Sequence, residues 1–295
     1  MSQLLQAAAY GVVQGGLLGL VAVGFSLVWG VMNVINLSHG ALAVTGAYLA
    51  WLLNLHFGLD PFLALPVVAI ALFLFGYALQ RGLINLVINA PIFLTLLLTF
   101  GLGLVILNSL QLLFNADDRT IETSYASQSL ALGTVNVPYG RLAACGLALA
   151  ITVGLAAVMT RTRLGHSISA TGMDRGAARL MGIRARHVYA ITFGISAALA
   201  GVAGTMIATV GSFNPTTTPG QLTLDAFVIS VLGGLGNMYG ALVGGLVLGI
   251  AESVGGLVLT GTWVNAIAMA VLILTLIVRP SGLIGKAQYS GRVEV

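Results

Sequence analysis

The fold is decided by residues 223–258, which read TLDAFVISVLGGLGNMYGALVGGLVLGIAESVGGLV. This mostly apolar stretch is longer than the roughly 20 residues that one membrane-spanning helix needs. Six of the 13 residues from 233 to 245 are glycine, and so many glycines are unfavourable within a single straight helix. We therefore predict membrane-embedded helices here, with a break or a re-entrant turn at the glycines.

The rest of the chain has the same apolar character. Only 7% of its 295 residues are charged and 58% are hydrophobic, with a mean hydropathy of +1.02, whereas soluble domains carry about 25% charged residues. Apolar runs of about 20 residues favour α-helices over a transmembrane β-barrel. We predict an all-α, polytopic transmembrane bundle of about eight or nine spans, forming one domain over residues 1–295. Its apolar segments lie near residues 4–33, 40–57, 61–79, 91–114, 138–160, 189–211, 223–258 and 263–279.

Charges predict the orientation of the spans. Six of the twelve basic residues lie in one loop, residues 161–188, which we call the basic loop. Because positively charged short loops stay in the cytoplasm, the basic loop is predicted to be cytoplasmic. The loop at residues 115–137, here the acidic loop, carries Asp117, Asp118 and Glu122 against one Arg. It then faces outward, either as a docking surface for an extracytoplasmic partner or as a solvated connector. The other inward-pointing basic residues are Arg81, Arg279, Lys286 and Arg292.

Two segments interrupt the apolar pattern and are candidate parts of a translocation pathway. The polar break, residues 33–40, carries two Asn, one Ser, one His and one Gly. It is either a half-helix junction lining a substrate route or a loop at the membrane edge. The glycine-rich break, residues 233–245, is either a pathway element or a close-packing surface, since Gly236, Gly240 and Gly244 recur every four residues, as do Gly245 and Gly249.

The basic loop contains the pattern of a short amphipathic helix. Met173, Ala177, Leu180 and Met181 recur at helical spacing. Asp174 is expected in the first turn of that helix, where a carboxylate complements the helix dipole, and Gly182 is expected to end it. Such a helix either lies on lipid or docks into a cytoplasmic motor.

Several functions find no support in the sequence. A phosphate-binding P-loop needs a Lys and a Ser/Thr after its glycines, and the glycine-rich segments here lack that pattern. The four His are scattered and the single Cys145 has no partner, so neither a metal site nor an enzyme active site is predicted. We expect no enzymatic activity, no cofactor bound by this chain and no binding of nucleic acid.

Three motifs, in this order, resemble one family over nearly the whole chain. They are Asn33-x-x-Asn36-Leu37-Ser38-His39-Gly40, the segment from Gly165 through Gly182-Ile183, and Val231-Leu232-Gly233-Gly234-Leu235-Gly236-Asn237 continuing through Gly240-Ala241-x-x-Gly244-Gly245. Together they resemble the integral-membrane permeases of the branched-chain amino acid ABC importers, and the shorter of the two paralogous permeases in particular. The chain departs from the family in having His166 and Ser169 where basic residues are common.

The resemblance implies partners and roles. It implies a second paralogous permease subunit, two cytoplasmic ABC ATPase subunits, an extracytoplasmic solute-binding protein, an amino-acid substrate and surrounding lipid, in a bacterial plasma (inner) membrane. The residues implied for ATPase coupling are Gly165, Asp174, Arg175, Ala177, Ala178, Arg179, Leu180, Met181 and Gly182. The residues implied near the translocation pathway are Asn33, Asn36, Ser38, His39, Gly40, Gly233, Gly234, Gly236, Asn237 and Gly240.

The alternative is an ion-coupled secondary transporter or a channel for a small solute. Such proteins place ionisable groups inside several spans, and here the candidates reduce to Glu252 and to Asp225 near a span edge. Glu252 is interpreted as a structural carboxylate, as a membrane-edge residue or as a participant in translocation. The sequence leaves three points open. They are the identity of the substrate (an amino acid, urea, an amide or an aromatic acid), the number of crossings and the side of the membrane on which the N-terminus lies.

Overall fold

The computed structural model describes residues 2–285 apart from residues 122, 124–127, 133–134 and 260–262. Within this part, helices form a bundle that carries one two-stranded antiparallel hairpin, and seven helices are long and apolar enough to cross a membrane. A shorter apolar helix, Ala266–Val278, follows them. The predicted all-α, polytopic fold is confirmed. Glu122, Lys286 and Arg292, which entered the charge argument, lie outside the described residues.

The elements are numbered in chain order. A π-helical turn, Gln80–Ile84, joins the helix Pro61–Leu79 to the single helical turn Asn85–Val87. In the hairpin, Ser129 pairs with Pro138. The helices are α1 (Ser2–Met32), α2 (His39–Phe57), α3 (Pro61–Leu79), α4 (Asn85–Val87), α5 (Ile92–Phe114), α6 (Tyr139–Arg161), α7 (Arg163–Met173), α8 (Arg175–Leu180), α9 (Ala185–Val210), α10 (Thr218–Gly233), α11 (Met238–Leu259) and α12 (Val264–Val278), and the strands are β1 (Ser129–Leu132) and β2 (Val135–Pro138).

Helices α1 and α9 form the centre of the bundle. In their most apolar windows, 89% and 78% of the residues are buried, against 17% to 28% for α3, α5, α6 and α11. Because both are surrounded by protein, they are apolar on every side, and they carry no single hydrophobic face. The buried core accordingly includes large side chains from both helices, such as Phe25 and Phe193.

Glycines on α1 and α11 allow these two helices to pack backbone against backbone. A Cβ atom at Gly15 would lie 2.5 Å from the carbonyl oxygen of Gly245, and one at Gly249 would lie 2.5 Å from the Cα of Gly15. Gly11 and Gly19 extend the same α1 surface. The close-packing interpretation of Gly245 and Gly249 is therefore confirmed, and the matching glycine stripe on α1 is a feature that the sequence analysis did not identify.

The predicted break inside residues 223–258 is present. Helix α10 ends at Gly233, a turn occupies residues 234–237, and α11 begins at Met238. The proposed four-residue repeat starting at Gly236 is wrong in one respect, because Gly236 lies in the turn, with φ of 83°, and not on a helix. Gly240 and Gly244 do lie on α11, where they pack against the last turns of α10.

The two long loops lie at opposite ends of α1, in agreement with the predicted orientation. Gln6, near the beginning of α1, exchanges hydrogen bonds with the backbone of Asn136 at the end of the acidic loop. Near the other end of α1, Gly30 packs against Gly172 of the basic loop. The positive-inside rule assigns the second of these ends to the cytoplasm.

Candidate functional site

The polar break reverses the chain within the bundle. Helix α1 is terminated by Asn33, whose φ of 52° is the left-handed conformation common at helix ends. The chain then returns along α5, where the hydroxyl of Thr99 accepts a hydrogen bond from the Leu37 amide at 3.2 Å and donates one to the Ile35 carbonyl at 2.9 Å. Helix α2 begins only at His39. This is the half-helix junction that the sequence offered as one interpretation.

His39 places the start of α2 inside the bundle. Its Nε2 lies 2.9 Å from the carbonyl oxygen of Val21, which is eleven residues before the end of α1. At 1.5 Å per residue, this contact lies roughly 16 Å from that end. His39 is completely buried and its ring meets Phe25 edge-on at 5.7 Å. Within the described residues no group of His, Cys, Asp or Glu is arranged to hold a metal ion.

Asn36 and Ser38 shape the turn that opens α2. The Oδ1 of Asn36 accepts hydrogen bonds from the Ser38 amide at 3.1 Å and from the Ser38 hydroxyl at 2.6 Å. Both residues are fully buried. Two donor or acceptor atoms in this turn have no hydrogen-bond partner in the described structure, Asn36 Nδ2 and His39 Nδ1. Buried polar atoms usually have a partner, so these two lose the hydrogen bonds that water would provide.

A second half-helix meets the first. After α9 the chain turns back through residues 211–217, where Phe213 pairs with Arg119 of the acidic loop. Helix α10 then starts at Thr218, next to the start of α2, because the Gly40 amide donates a 3.0 Å hydrogen bond to the Thr223 hydroxyl. A Cβ atom at Gly40 would overlap the carbonyl oxygen of Pro219. The contact therefore requires glycine.

Helices α2 and α10 run away from this junction in opposite directions. Trp51 of α2 lies under the Arg119 guanidinium of the acidic loop, with 4.8 Å between the carbon centre and the ring. The end of α10 leads to Gly236, which packs on Gly30 beside the basic loop. Two discontinuous spans that enter the bundle from opposite sides and meet at mid-depth are typical of transporters with inverted repeats.

A cavity of about 350 Å³ lies at the meeting point of α2, α5 and α10. It touches the first turn of both half-helices and is otherwise apolar. Its walls are formed by Leu37, Ala41, Phe100, Gly103, Leu104, Leu107, Pro219, Gly220, Thr223, Leu224 and Phe227. Of these, only Leu37 falls in the polar break. A possible sequence signal was the Pro219-Gly220 pair, a turn pattern that marks where α10 begins.

The glycine-rich break does not join this junction. Gly236 donates its amide to the Ser26 hydroxyl at 3.1 Å and packs on Gly30, whereas His39 contacts α1 at Val21. Ser26 and Gly30 lie five and nine residues beyond Val21 on α1, or roughly 8 and 13 Å along the helix. The structure thus places the two breaks at different depths.

Asn237 and its neighbours close the turn of the glycine-rich break. The Oδ1 of Asn237 accepts hydrogen bonds from the amides of Tyr239 and Gly240, which caps α11. Gly234, with φ of 102°, packs against Gly285, and Gly233 packs against Gly240. The break is therefore a tightly packed corner that joins α10, α11 and the segment after α12.

A larger cavity of about 830 Å³ opens beside the acidic loop, between the outer ends of α1, α6, α9 and α11. Its lining is partly polar and includes Gln3, Tyr10 and Arg141. The guanidinium carbon of Arg141 lies 4.9 Å from the centre of the Tyr10 ring. Asp225 of α10 and Glu252 of α11 are both partly buried.

The basic loop folds into two short helices, α7 and α8, where the sequence analysis expected one. The Thr162 hydroxyl caps α7 by accepting from the Gly165 amide at 3.1 Å. A Cβ atom at Gly165 would overlap the backbone of Met159, so glycine allows the sharp turn out of α6. Asp174 lies just before α8, and its Oδ1 accepts from the Gly176 amide at 2.7 Å.

Gly182 ends α8 as the sequence analysis expected. Its φ is 80°, its amide donates to the Arg179 carbonyl at 3.0 Å, and the Ile183 amide donates to the Ala178 carbonyl at 3.0 Å. This pair of hydrogen bonds is the Schellman arrangement. Ala178, and not Ala177, faces the bundle.

The apolar side chains of this loop point away from the bundle. Met173, Leu180 and Met181 are 89%, 90% and 81% exposed. Arg175 instead holds α8 in place, because its Nη1 donates to Asn89 Oδ1 at 2.6 Å and its guanidinium lies 5.5 Å from the Tyr189 ring centre. The loop therefore presents a fixed apolar knob on a basic background.

Residues 7–277 match the family model described as branched-chain amino acid transport system / permease component. The chain belongs to this family. It is 30% identical to the high-affinity branched-chain amino acid transport system permease protein BraD of Pseudomonas aeruginosa, over 96% of each chain. It is 28% identical to LivH of Salmonella typhimurium over 94% of each chain. The same identity relates it to the probable LivH of Methanocaldococcus jannaschii, over 93% of this chain and 90% of that one.

These matches confirm the resemblance drawn from the three motifs. The chain is a multi-pass ABC-type permease of the branched-chain amino acid family, and its family is one of transport proteins, not of enzymes. A solved structure, PsaBC from Streptococcus pneumoniae in complex with Fab, is similar over 92% of each chain, with a TM-score of 0.49 and 14% identity.

Proposed function

We propose that this permease is a membrane-spanning subunit of an ATP-binding-cassette importer that carries branched-chain, hydrophobic amino acids inward. ATP hydrolysis on separate subunits supplies the energy. The observation that carries the proposal is the apolar knob of the basic loop, Met173, Leu180 and Met181, which is exposed to water on the cytoplasmic side assigned by charge. The names of BraD and LivH support the choice of substrate.

The knob has the properties of a coupling element. Three large apolar side chains at 81% to 90% exposure mark an interaction surface, which we assign to an ATPase subunit. The surrounding Arg179 and Arg184 are exposed and suit an acidic rim on that partner. Because Arg175 and the Schellman turn hold α8 rigidly, movement of a bound ATPase is transmitted to α6 and α9. The coupling set, Gly165, Asp174, Arg175, Ala177, Ala178, Arg179, Leu180, Met181 and Gly182, acts together in this proposal.

The pathway runs past the junction of α2 and α10. Asn36, Ser38, His39 and Gly40 form its middle, because irregular backbone at membrane depth is stable only where it is enclosed by protein or lines a cavity. Asn33 lies where α1 ends, on the cytoplasmic side. The glycine-rich corner, with Gly233, Gly234, Gly236, Asn237 and Gly240, forms the inner end of the pathway, since it continues directly from α10.

The assembly needs four kinds of partner. We assign a second paralogous permease to the permease core, two ABC ATPase subunits to the basic loops and a solute-binding protein to the acidic loop. The fourth partner is the substrate amino acid. The bacterial plasma membrane is the proposed location, and this chain binds no cofactor of its own.

Two measurements test the proposal. The chain is affinity-purified from its native membrane in mild detergent, and the co-purifying proteins and their ATPase activity are measured. Recovery of a second permease and an active ATPase is expected, together with loss of radiolabelled leucine uptake when the gene is deleted. A stable assembly of this chain alone, with no ATPase activity, would overturn the proposal in favour of a secondary transporter or channel.

A further inference from the structure

The cavity of about 830 Å³ beside the acidic loop contains one charged side chain, Arg141, among its described lining residues. We propose that this outer cavity is the entry site for the transported amino acid, and that Arg141 binds the α-carboxylate. The inference rests on the proposed function. It adds to that function the outer end of the pathway and the group that recognises a substrate there.

The outer cavity lies where the bundle leaves the hydrocarbon layer. Its walls come from helix ends and from the connection before α6, and Tyr10, the lining residue furthest along α1, is the ninth residue of that helix. Helix α1 has 31 residues and is roughly 46 Å long, whereas the hydrocarbon core is about 30 Å thick. The first turns of α1 therefore extend into the interfacial region. Gln3, which lines the cavity in the first turn, is exposed, so water reaches this end of the site.

The outer cavity is closed toward the middle of the membrane. One turn further along α1, Val13 packs with Val137 and Cys145 in a small buried cluster. A Cβ atom at Gly16 would lie 2.6 Å from the Cys145 Sγ, so α1 and α6 are in close contact at this level. Val21, which His39 contacts, lies eleven residues beyond Tyr10, or roughly 16 Å. A solute in the outer cavity is thus held on the outer side of a closed contact, before the junction of α2 and α10.

The Arg141 side chain is suited to bind a carboxylate. Its guanidinium carbon lies over the Tyr10 ring, 4.9 Å from the ring centre. Such a contact restrains the guanidinium and leaves its N–H groups, which lie in the guanidinium plane, able to donate. None of the described lining residues is acidic, so none of them competes for these donors. Arginine pairs with carboxylates through two parallel hydrogen bonds, which are stronger than bonds between neutral groups.

The rest of the wall suits an aliphatic side chain. Ala7, Val210 and Leu257 supply apolar surface from three different helices. Sites for small ligands have volumes of roughly 300–1,000 Å³, so an amino acid fits in the outer cavity together with water. The ammonium group faces the exposed Gln3, whose amide oxygen accepts hydrogen bonds and where water is present.

Photolabelling tests the location of the site and its need for a carboxylate. The probe is a leucine analogue with a diazirine in its side chain, used on right-side-out membrane vesicles that contain the full chain with its own partners. After irradiation, we expect labelled peptides from residues 3–10 and 253–257, and excess leucine should prevent the labelling. Leucinamide, in which an uncharged amide replaces the carboxylate, should protect at least about tenfold less well.

Variants of Arg141 test its role in binding. Arg141→Gln should reduce the labelling at least about tenfold, because the carboxylate loses its charged partner. Arg141→Lys keeps the charge without the planar fork and should reduce it less. Arg81→Gln is the matched control, since Arg81 also lies over a tyrosine, 5.9 Å from the Tyr77 ring centre, but on the side assigned to the cytoplasm. It should be labelled like the wild type. Co-purifying partners show whether each variant has folded.

Three results would overturn the inference. They are labelling confined to residues 100–107 and 219–227 at the α2–α10 junction, unchanged labelling in Arg141→Gln, and equal protection by leucinamide. Each leaves the proposed function intact as long as deletion of the gene abolishes leucine uptake and an ATPase co-purifies. If uptake survives the deletion and no ATPase co-purifies, the importer assignment itself fails, whatever the labelling shows.

Discussion

The Gly40 amide donates a 3.0 Å hydrogen bond to the hydroxyl of Thr223, 183 positions further along the chain. This bond joins the first turn of α2 to the first turns of α10. Thr223 also donates to the carbonyl of Pro219 at 2.8 Å, so the second half-helix is held at its beginning by the same hydroxyl. The beginnings of the two half-helices, α2 and α10, thereby form one structural unit.

Substitution of Gly40 is expected to disrupt this unit. In Gly40→Ala the new methyl group overlaps the Pro219 carbonyl, and overpacking of this kind costs about 1–3 kcal/mol. We expect a lower melting temperature in detergent and loss of leucine uptake. Gly101→Ala, whose Cβ has no neighbour within 4 Å, is the control and should behave as wild type. Equal stability of the two variants would show that the close contact is absent in the membrane.

The Thr223 hydroxyl is expected to stabilise the same contact. Thr223→Val keeps the shape of the side chain and removes the hydrogen bonds to Gly40 and Pro219. The loss is expected to be about 2 kcal/mol, since two hydrogen bonds with a net value of about 1 kcal/mol each are removed. Thr223→Ser retains the hydroxyl and should preserve the melting temperature. If Val and Ser variants melt alike, the hydroxyl has no structural role.

Asn36 is expected to stabilise the turn that opens α2. Asn36→Leu removes the oxygen that accepts from the Ser38 amide and hydroxyl. Because each hydrogen bond has a net value of about 1 kcal/mol, we expect a lower melting temperature in detergent. Asn36→Asp keeps an oxygen acceptor but places a carboxylate at a position that is 1% exposed, and a buried charge without a partner should also lower the melting temperature. An unchanged melting temperature in Asn36→Leu would show that the turn does not depend on this side chain.

The apolar knob is expected to control coupling without controlling insertion. Leu180→Asp places a charge on a side chain that is 90% exposed, so the fold should be unaffected. We expect normal membrane levels, loss of the co-purifying ATPase and loss of leucine uptake. Leu180→Met preserves the apolar contact and serves as the control. Retention of a coupled ATPase by the Asp variant would refute the docking role.

Gly182 tests the same surface through the backbone. Its φ of 80° is accessible to glycine and strained for a β-branched residue. Gly182→Val should therefore distort the end of α8 and displace Leu180 and Met181 from their rigid positions. ATP hydrolysis is expected to continue with little leucine uptake. Gly182→Asn, which tolerates the left-handed conformation, should retain most of the coupling.

The sequence predicted two local breaks, but it did not predict that the beginning of α2 meets the beginning of α10. The polar break and the glycine-rich break were both visible, because polar residues and clustered glycines are conspicuous in apolar sequence. The depth of each break within the bundle could not be predicted, because hydropathy along the chain does not show which breaks lie at the same depth. Pro219 and Thr223 were missed for this reason, and the glycine-rich break was grouped with a junction that lies roughly 8 to 13 Å away along α1.

The amino-acid sequence by itself determined the membrane class, the helical fold and the family, and it predicted which loop faces the cytoplasm. Composition, the positive charge of one loop and three local motifs are properties of short stretches of sequence. They can therefore be recognised without the tertiary structure. Only the tertiary structure decided that Gly40 meets Thr223, that α1 and α11 share a glycine seam, and that a cavity opens between two helix beginnings. Contacts between residues 183 positions apart depend on the packing of whole helices, which no short stretch of sequence specifies.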